Sequence, residues 1–246
     1  MSDVMKSVSV IIPTYNESNE IASTLDALFK SNPLPHEVIV ADGGSSDDTP
    51  QIIKSYNCRY INAPKGRASQ MNMGASIADG DIIVFLHADT TLPFNFVELV
   101  NNILYKKNYV LGGFTSIMRG ENTQWFISLN NYLKTFWVAL LISPYKTIFK
   151  RLRILFGDQV MFCKKSDFEK IEGFNKGMKV LEDADLSIRM NALGRIVQLK
   201  QKVISSDRRV KEWGFLTSYF RYLRILFSWI YRKNRDRFDT AYEDIR

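Results

Sequence analysis

The chain has 246 residues, 46% of them hydrophobic and 24% charged, which suits one large α/β domain and excludes a disordered polymer. Its net charge of +7 is uneven: residues 1–145 carry 10 Lys and Arg against 13 Asp and Glu, and residues 146–246 carry 23 against 13. That split points the second half at an acidic partner such as phosphate groups, anionic lipid or nucleic acid.

The amino terminus leads into a short strand and lacks the apolar region of a signal peptide. No run approaches the ~18 consecutive apolar residues of a membrane span. Cys58 and Cys163 are far apart and lack metal-like spacing, so reduced thiols in a cytoplasmic protein are expected.

Val8 to Ile12 predicts a first strand, broken by Pro13, followed by the polar loop Thr14-Tyr15-Asn16-Glu17-Ser18. Ile21, Leu25, Leu28 and Phe29 then recur at helical spacing, with Ser18 or Asn19 as a cap. A second strand, Glu37 to Val40, runs into Ala41-Asp42-Gly43-Gly44-Ser45. Two glycines there let backbone approach a ligand, and Asp42 at a strand end can accept from a base N–H or a ribose hydroxyl. A plain Gly-Ser turn with a capped helix from Gln51 to Tyr56 is the competing structural explanation. After a short third strand at Arg59-Tyr60-Ile61, the glycine-framed loop Pro64-Lys65-Gly66-Arg67 enters a helix. Arg67 opposes the positive helix start, which a bound anion would explain.

Ile82 to Leu86 predicts a buried central strand ending in His87-Ala88-Asp89-Thr90. Alternation points His87 and Asp89 the same way. An imidazole and a carboxylate converging beyond a strand end can hold a divalent ion, and through it a diphosphate; helix capping is the plainer use of such an Asp. The first, second and fourth strands thus each end in a carboxylate-bearing loop. Neither the three-glycine dinucleotide pattern nor a Gly-Lys-Ser/Thr phosphate loop occurs.

In the second half, residues 94–107 predict a helix and residues 110–114 a strand. Trp125 to Phe149 reads as an aromatic helix across the site, broken at Pro144, and Phe156 to Phe162 as a strand. Leu181-Glu182-Asp183 opens a helix whose apolar face is Leu186, Met190 and Leu193. Carboxylates at that start are stabilised by the dipole, and one facing a cleft can serve as a general base.

Taken together these loops resemble family 2 glycosyltransferases with the GT-A fold, an α/β architecture with a mostly parallel sheet flanked by helices. The resemblance runs through Ile11-Ile12-Pro13-Thr14-Tyr15-Asn16-Glu17, Asp42-Gly43-Gly44-Ser45, His87-Ala88-Asp89 and Glu182-Asp183. More narrowly, Gly66-Arg67-Ala68-Ser69-Gln70-Met71-Asn72, Phe85-Leu86-His87-Ala88-Asp89-Thr90 and Phe156-Gly157-Asp158-Gln159 are similar to a bacterial subgroup often labelled arsenosugar-biosynthesis-associated glycosyltransferases.

The resemblance implies a single domain with a nucleotide-binding half (1–92), an acceptor and catalytic half (93–211) and a carboxyl-terminal aromatic and basic helical segment (212–246). It implies that Pro13, Thr14, Tyr15, Glu17, Asp42, Gly43, Gly44, Arg67, Gln70 and Asp89 hold a UDP- or GDP-sugar. It also implies that Asp89 binds Mg²⁺ or Mn²⁺, with His87 standing where the family has the first aspartate of Asp-x-Asp. Asp183 would be the catalytic base of an inverting transfer to an acceptor hydroxyl, and Glu182, Gly157, Asp158 and Gln159 would line the sugar or acceptor side. Arg208 and Arg209 would close over the diphosphate.

Trp213 to Arg232 repeats Phe215, Tyr219, Tyr222, Leu226 and Ile230 at helical spacing and is followed by Arg232, Lys233, Arg235 and Arg237. A core helix with a solvated basic end fits it, and so does a peripheral helix at the inner face of the membrane (213–237) serving a lipid-linked acceptor. Two other functions use the same features: a nucleotidyltransferase making the sugar nucleotide, and a non-catalytic basic binding protein. No nucleic-acid motif is visible, so no nucleic-acid partner is expected.

Overall fold

Seven consecutive buried residues, Val8–Thr14 (β1), form the middle of the sheet. The computed structural model describes residues 5–119, 124–178 and 180–208, with Thr217, Phe220 and Arg224. Along the chain follow α1 (Ile21–Leu28), β2 (Glu37–Asp42), α2 (Thr49–Lys54), β3 (Arg59–Asn62), α3 (Arg67–Ile77), β4 (Ile82–Phe85) and β5 (Thr90–Thr91). Then come α4 (Phe96–Asn101), β6 (Leu111–Arg119), α5 (Trp125–Ile142), α6 (Pro144–Phe149), β7 (Phe162–Lys164), α7 (Lys165–Lys170), α8 (Glu182–Met190) and β8 (Ile196–Ser206).

The strands order as β3-β2-β1-β4-β7-β6-β8-β5. β1 to β4 pair in parallel, β7 runs antiparallel to both β4 and β6, and β6 and β8 are parallel. Apolar side chains cover both faces. Ile12, Val38 and Val84 pack under α1, α2 and α4; Ile11, Ile83 and Phe85 pack under α3, α5, α7 and α8. α3 lies so close to β1 that a methyl on Gly74 would stand 2.5 Å from Ile11 Cγ2. This closeness sets where the first turn of α3 meets the strand ends.

Four local expectations change. β1 runs through Pro13 to Thr14, because its register with β4 ends at Ile11–Phe85 and beyond that point the strand's β4 side has no ladder to interrupt. The cap of α1 is Glu20, with no side-chain cap bond, because the Ser18 N–H is turned to the Asp47 carboxylate. Phe156 to Phe162 is not one strand: Gly157–Gln159 forms a 3-10 turn, Val160 takes φ +49°, and the strand starts at Phe162. The helix after Asn95 also changes, passing at Asn102–Lys106 into a π-helical turn.

Both cysteines are free thiols, Cys163 buried and Cys58 half-buried. The expected 213–237 helix falls outside the described residues except at three positions, and Arg209 lies outside them entirely.

Candidate active site

The carboxyl ends of β1, β2 and β4 lie side by side, as the pairings Thr14–Asp42 and Ile11–Phe85 require. Open parallel sheets gather their ligands along such an edge. The first two loops there are laced together by side chains. The Asn16 N–H donates to Ser45 Oγ, the Ser46 N–H to Asn16 Oδ1, and the Glu17 N–H to Thr49 Oγ1. Asn16 takes φ +54°, a conformation asparagine tolerates better than most residues.

Asp42 is 1% exposed. Its carboxylate accepts from the Gly44 and Ser45 N–H groups and from the hydroxyls of Ser45, Tyr60 and Thr14. Asp42 therefore shapes the Gly43-Gly44 loop with both oxygens. Gln70, grouped by sequence with the nucleotide residues, is also buried. Its Nε2 donates to the Thr14 carbonyl at 2.6 Å and the Ala41 carbonyl at 2.8 Å, stapling β1 to β2. Above the loops the Lys65 ammonium lies 3.8 Å from the centre of the Tyr15 ring, a cation–π contact.

One turn back along α3, Arg67 reaches across the cleft. Its Nε lies 3.1 Å from Glu182 Oε1 at the start of α8. The anion expected at Arg67 is here a carboxylate of the protein, 2% exposed. Asn72 ties the same helix to the α8 approach, its side-chain amide exchanging hydrogen bonds with the Phe174 backbone at 2.8 Å each way. Leu181 enters α8 at φ +60°, a strained conformation costing roughly 1–3 kcal/mol that clusters at functional positions.

Asp183, next in line, accepts from the Gly157 N–H at 2.7 Å and from its neighbour's N–H, Ala184, at 2.7 Å. Burial pushes its carboxyl above the usual range, although Arg67, the two N–H groups and Lys134 pull the other way. His87 closes the far side of the same glycine. A methyl on Gly157 would stand 2.7 Å from His87 Nε2 and 3.7 Å from Asp183 Oδ2. The end of β4 and the start of α8 thus meet over one backbone position.

Asp89, two residues past His87, is half-buried and accepts from Thr90 Oγ1 at 3.1 Å. Arg208, from the end of β8, bridges to the first loop with Nη2 3.1 Å from Glu17 Oε2. Burial works against the Arg208 charge, but Glu17, Asp89 and Glu20 around it hold it protonated more firmly than usual. Burial raises the Glu20 carboxyl; Arg208 opposes that and Asp89 adds to it.

In the Gly157-Asp158-Gln159 turn expected on the acceptor side, Gly157 lies between His87 and Asp183, and Asp158 is half-buried. Gln159 is fully buried, its Nε2 donating to the Asn131 carbonyl and Thr135 Oγ1 of α5 while Oε1 accepts from the Phe156 N–H. Asp158 pairs with Lys134 at 3.1 Å. Sequence reasoning passed over Lys134, although it is the only charged residue between Trp125 and Tyr145. Glu20 and Tyr60 were missed too, and nothing local marks either of them.

A scan of known families finds Glycosyl transferase family 2 matching residues 9–171. The chain belongs to that family. Among curated glycosyltransferases it is similar to the probable glycosyltransferase YdaM of Bacillus subtilis, at 26% identity over 84% of this chain and 51% of that one. It is also similar to the glucosyltransferase WfgD of Escherichia coli, at 24% identity over 86% of each. The match to the poly-β-1,6-N-acetyl-D-glucosamine synthase of Staphylococcus epidermidis has 29% identity over 48% of this chain and 30% of that one. The chain therefore spans about a third to a half of several curated relatives it matches.

Among solved structures, S. aureus TarS residues 1–349 with UDP aligns at TM-score 0.61 and 17% identity, over 92% of this chain and 67% of that one. Glucosyl-3-phosphoglycerate synthase of Mycobacterium tuberculosis aligns at 0.60 and 21% identity, over 90% and 80%. These likenesses give the chain the GT-A fold. The family match favours the glycosyltransferase reading over the nucleotidyltransferase and binding-protein alternatives; the narrower arsenosugar subgroup is not among what these matches establish.

Proposed function

We propose that this glycosyltransferase moves a sugar from a UDP- or GDP-sugar to an acceptor hydroxyl with inversion, and that Asp183 is the base. The observation that carries this is the position of Asp183. Buried at a helix start, it has its carboxyl raised above the usual carboxylate range by burial and shares Gly157 with His87 at the strand ends. The TarS structure with UDP and the mycobacterial synthase structure with Mn²⁺ and UDP support a nucleotide-sugar donor in the same fold.

In this scheme the Pro13–Glu17 loop, with Tyr15 and Lys65, and the Asp42-Gly43-Gly44 loop form the seat of the nucleoside. Asp42 acts by fixing the loop, so that backbone groups meet the base and ribose. Arg67, already oriented by Glu182, faces the diphosphate. Asp183 takes the proton from the acceptor hydroxyl as its oxygen bonds to the anomeric carbon. The bond to the diphosphate breaks on the opposite side, and the nucleoside diphosphate leaves with the electron pair. Arg208 can exchange Glu17 for the diphosphate as the site fills.

Asp89 and His87 fit a divalent cation as a partial set. The described residues contain no group of three or more His, Cys, Asp or Glu able to hold one alone, so diphosphate oxygens would complete the shell. A bound Mg²⁺ or Mn²⁺ would offset charge on the departing diphosphate, and one carboxylate plus one imidazole suits Mn²⁺ better than Mg²⁺. A lipid-linked acceptor at the cytoplasmic face of the membrane is the reading we favour for the acceptor side.

The test is a thermal-shift and transfer screen over UDP- and GDP-sugars with Mn²⁺ or with a chelator, followed by assignment of the product's anomeric configuration. Metal-dependent nucleotide binding, weakened in Asp89→Ala, together with an inverted product is the expected result. Equal nucleotide affinity with and without Mn²⁺ removes the metal role, and a retained configuration removes the base role.

A further inference from the structure

α5 is inside out. The side chains it buries are largely polar, Ser128, Asn131 and Thr135 beside Val138 and Ala139, and its outward side is apolar. Trp125 is 68% exposed, Leu129 56%, Leu133 49% and Phe136 48%; α6 continues the surface with Ile148 at 63% and Phe149 at 71%. Helices in water turn their apolar side to the core, and exposed apolar patches of this extent mark an interaction site.

Charge chooses the partner. From Gln124 to Gly157 the sequence contains no Asp or Glu, and it carries Lys134, Lys146, Lys150, Arg151 and Arg153. Lys150 and Arg151 are exposed at the α6 end of the apolar stripe, and the Arg153 guanidinium lies 5.0 Å from the Phe136 ring centre. Aromatic rings bordered by basic residues are the composition of helices lying in an anionic lipid interface. Residues 209–246 carry nine Lys and Arg against five Asp and Glu. Their charge has the same sign, which adds to attraction by an anionic surface. Among the described residues no helix is long and apolar enough to cross a membrane, so the contact would lie in the interface plane.

We propose that the outward face of α5 and α6 docks on an anionic lipid surface. The inner face of the same helix holds the site: Asn131 and Thr135 fix Gln159, and Lys134 holds Asp158. Docking would set the acceptor side of the cleft at the lipid headgroups. The proposal goes beyond the transfer reading and is read without activity.

The experiment is co-sedimentation of the full chain with phosphatidylcholine vesicles, with and without phosphatidylglycerol. The parent chain should pellet with the anionic vesicles and several-fold less with the neutral ones. Leu129→Ser/Leu133→Ser/Ile148→Ser should lower partitioning about tenfold or more while keeping the parent's melting temperature and nucleotide thermal shift. Should the triple variant misfold, Lys150→Glu/Arg151→Glu gives a second reading: it should lose most of the phosphatidylglycerol-dependent increment. The proposal is overturned if the parent fails to pellet or if the folded triple variant pellets equally. It is also overturned if Leu133→Cys cross-links to residues 209–246 or to a second copy in the presence of vesicles.

Discussion

The Gly157 N–H points at Asp183 Oδ2 from 2.7 Å, with the imidazole of His87 pressed against the same glycine. With Oδ1 held by the Ala184 N–H at 2.7 Å, the two bonds orient the buried carboxylate at the helix start. The end of β4 and the start of α8 are joined through this glycine, and α3 and α8 through Arg67–Glu182.

Replacing Asp183 by Asn keeps an acceptor for the Gly157 N–H but removes the basic oxygen. Transfer should fall at least about a thousandfold, while nucleotide affinity stays within about threefold. Calorimetric titration of nucleotide beside a single-turnover assay checks both. Parallel losses would mean that Asp183 serves binding and not proton removal.

The pH profile carries a sign. As the proposed base Asp183 must be ionised, and burial raises its carboxyl despite Arg67, Gly157, Ala184 and Lys134. Activity should therefore rise with pH through a midpoint above that of an ordinary aspartate. Lys134→Met, which removes one of the opposing charges, should move this limb further up. For folding the same shift works inversely: the native state holds this proton more tightly than the unfolded one, so the group favours the fold at low pH and costs stability as pH rises through its raised value. A limb at the ordinary aspartate position in both proteins would be incompatible with the assignment.

Gly157→Ala tests the crowding. The added methyl would lie 2.7 Å from His87 Nε2, so the ring or the turn must move at a cost of about 1–3 kcal/mol. We expect a lower melting temperature and at least a tenfold loss of transfer. Unchanged activity with unchanged melting would show that His87 is free to swing aside.

Gln70→Met conserves volume and deletes the two bonds to the Thr14 and Ala41 carbonyls. Denaturant unfolding should show a loss of about 1–3 kcal/mol, and nucleotide affinity should drop because the loops above lose their staple. A stability loss with full affinity would restrict Gln70 to the core.

Much of this was legible in residue order. The apolar runs at Val8, Glu37 and Ile82, each ending in a polar loop, announce parallel strands and the edge where ligands gather, and the carboxylates before Leu186 announce a helix start. What residue order withholds is the partner of each charge. Arg67 looks like an anion binder because Glu182 is 115 positions away, and Arg208 meets Glu17 across 191 positions. The amides of Gln70 and Gln159 look like ligand groups because a glutamine beside a glycine loop carries no mark of facing inward. The residues from Phe156 to Phe162 read as a strand by composition, but Asp183 and α5 capture the backbone and side chains there first and bend the segment into a turn.

The seam between β4 and β7 has a consequence for synthesis. Everything on one side of it, β1 to β4, comes from a single early stretch of chain; the partner of Ile82 across the seam is Lys164. While the ribosome is still making the second half, the completed β4, Ile82-Ile83-Val84-Phe85, presents a bare apolar edge, the kind of surface that recruits other nascent chains. Fragments ending before Phe162 leave that edge open, so pieces meant to isolate the first half should aggregate unless they retain β7 or bring a substitute strand.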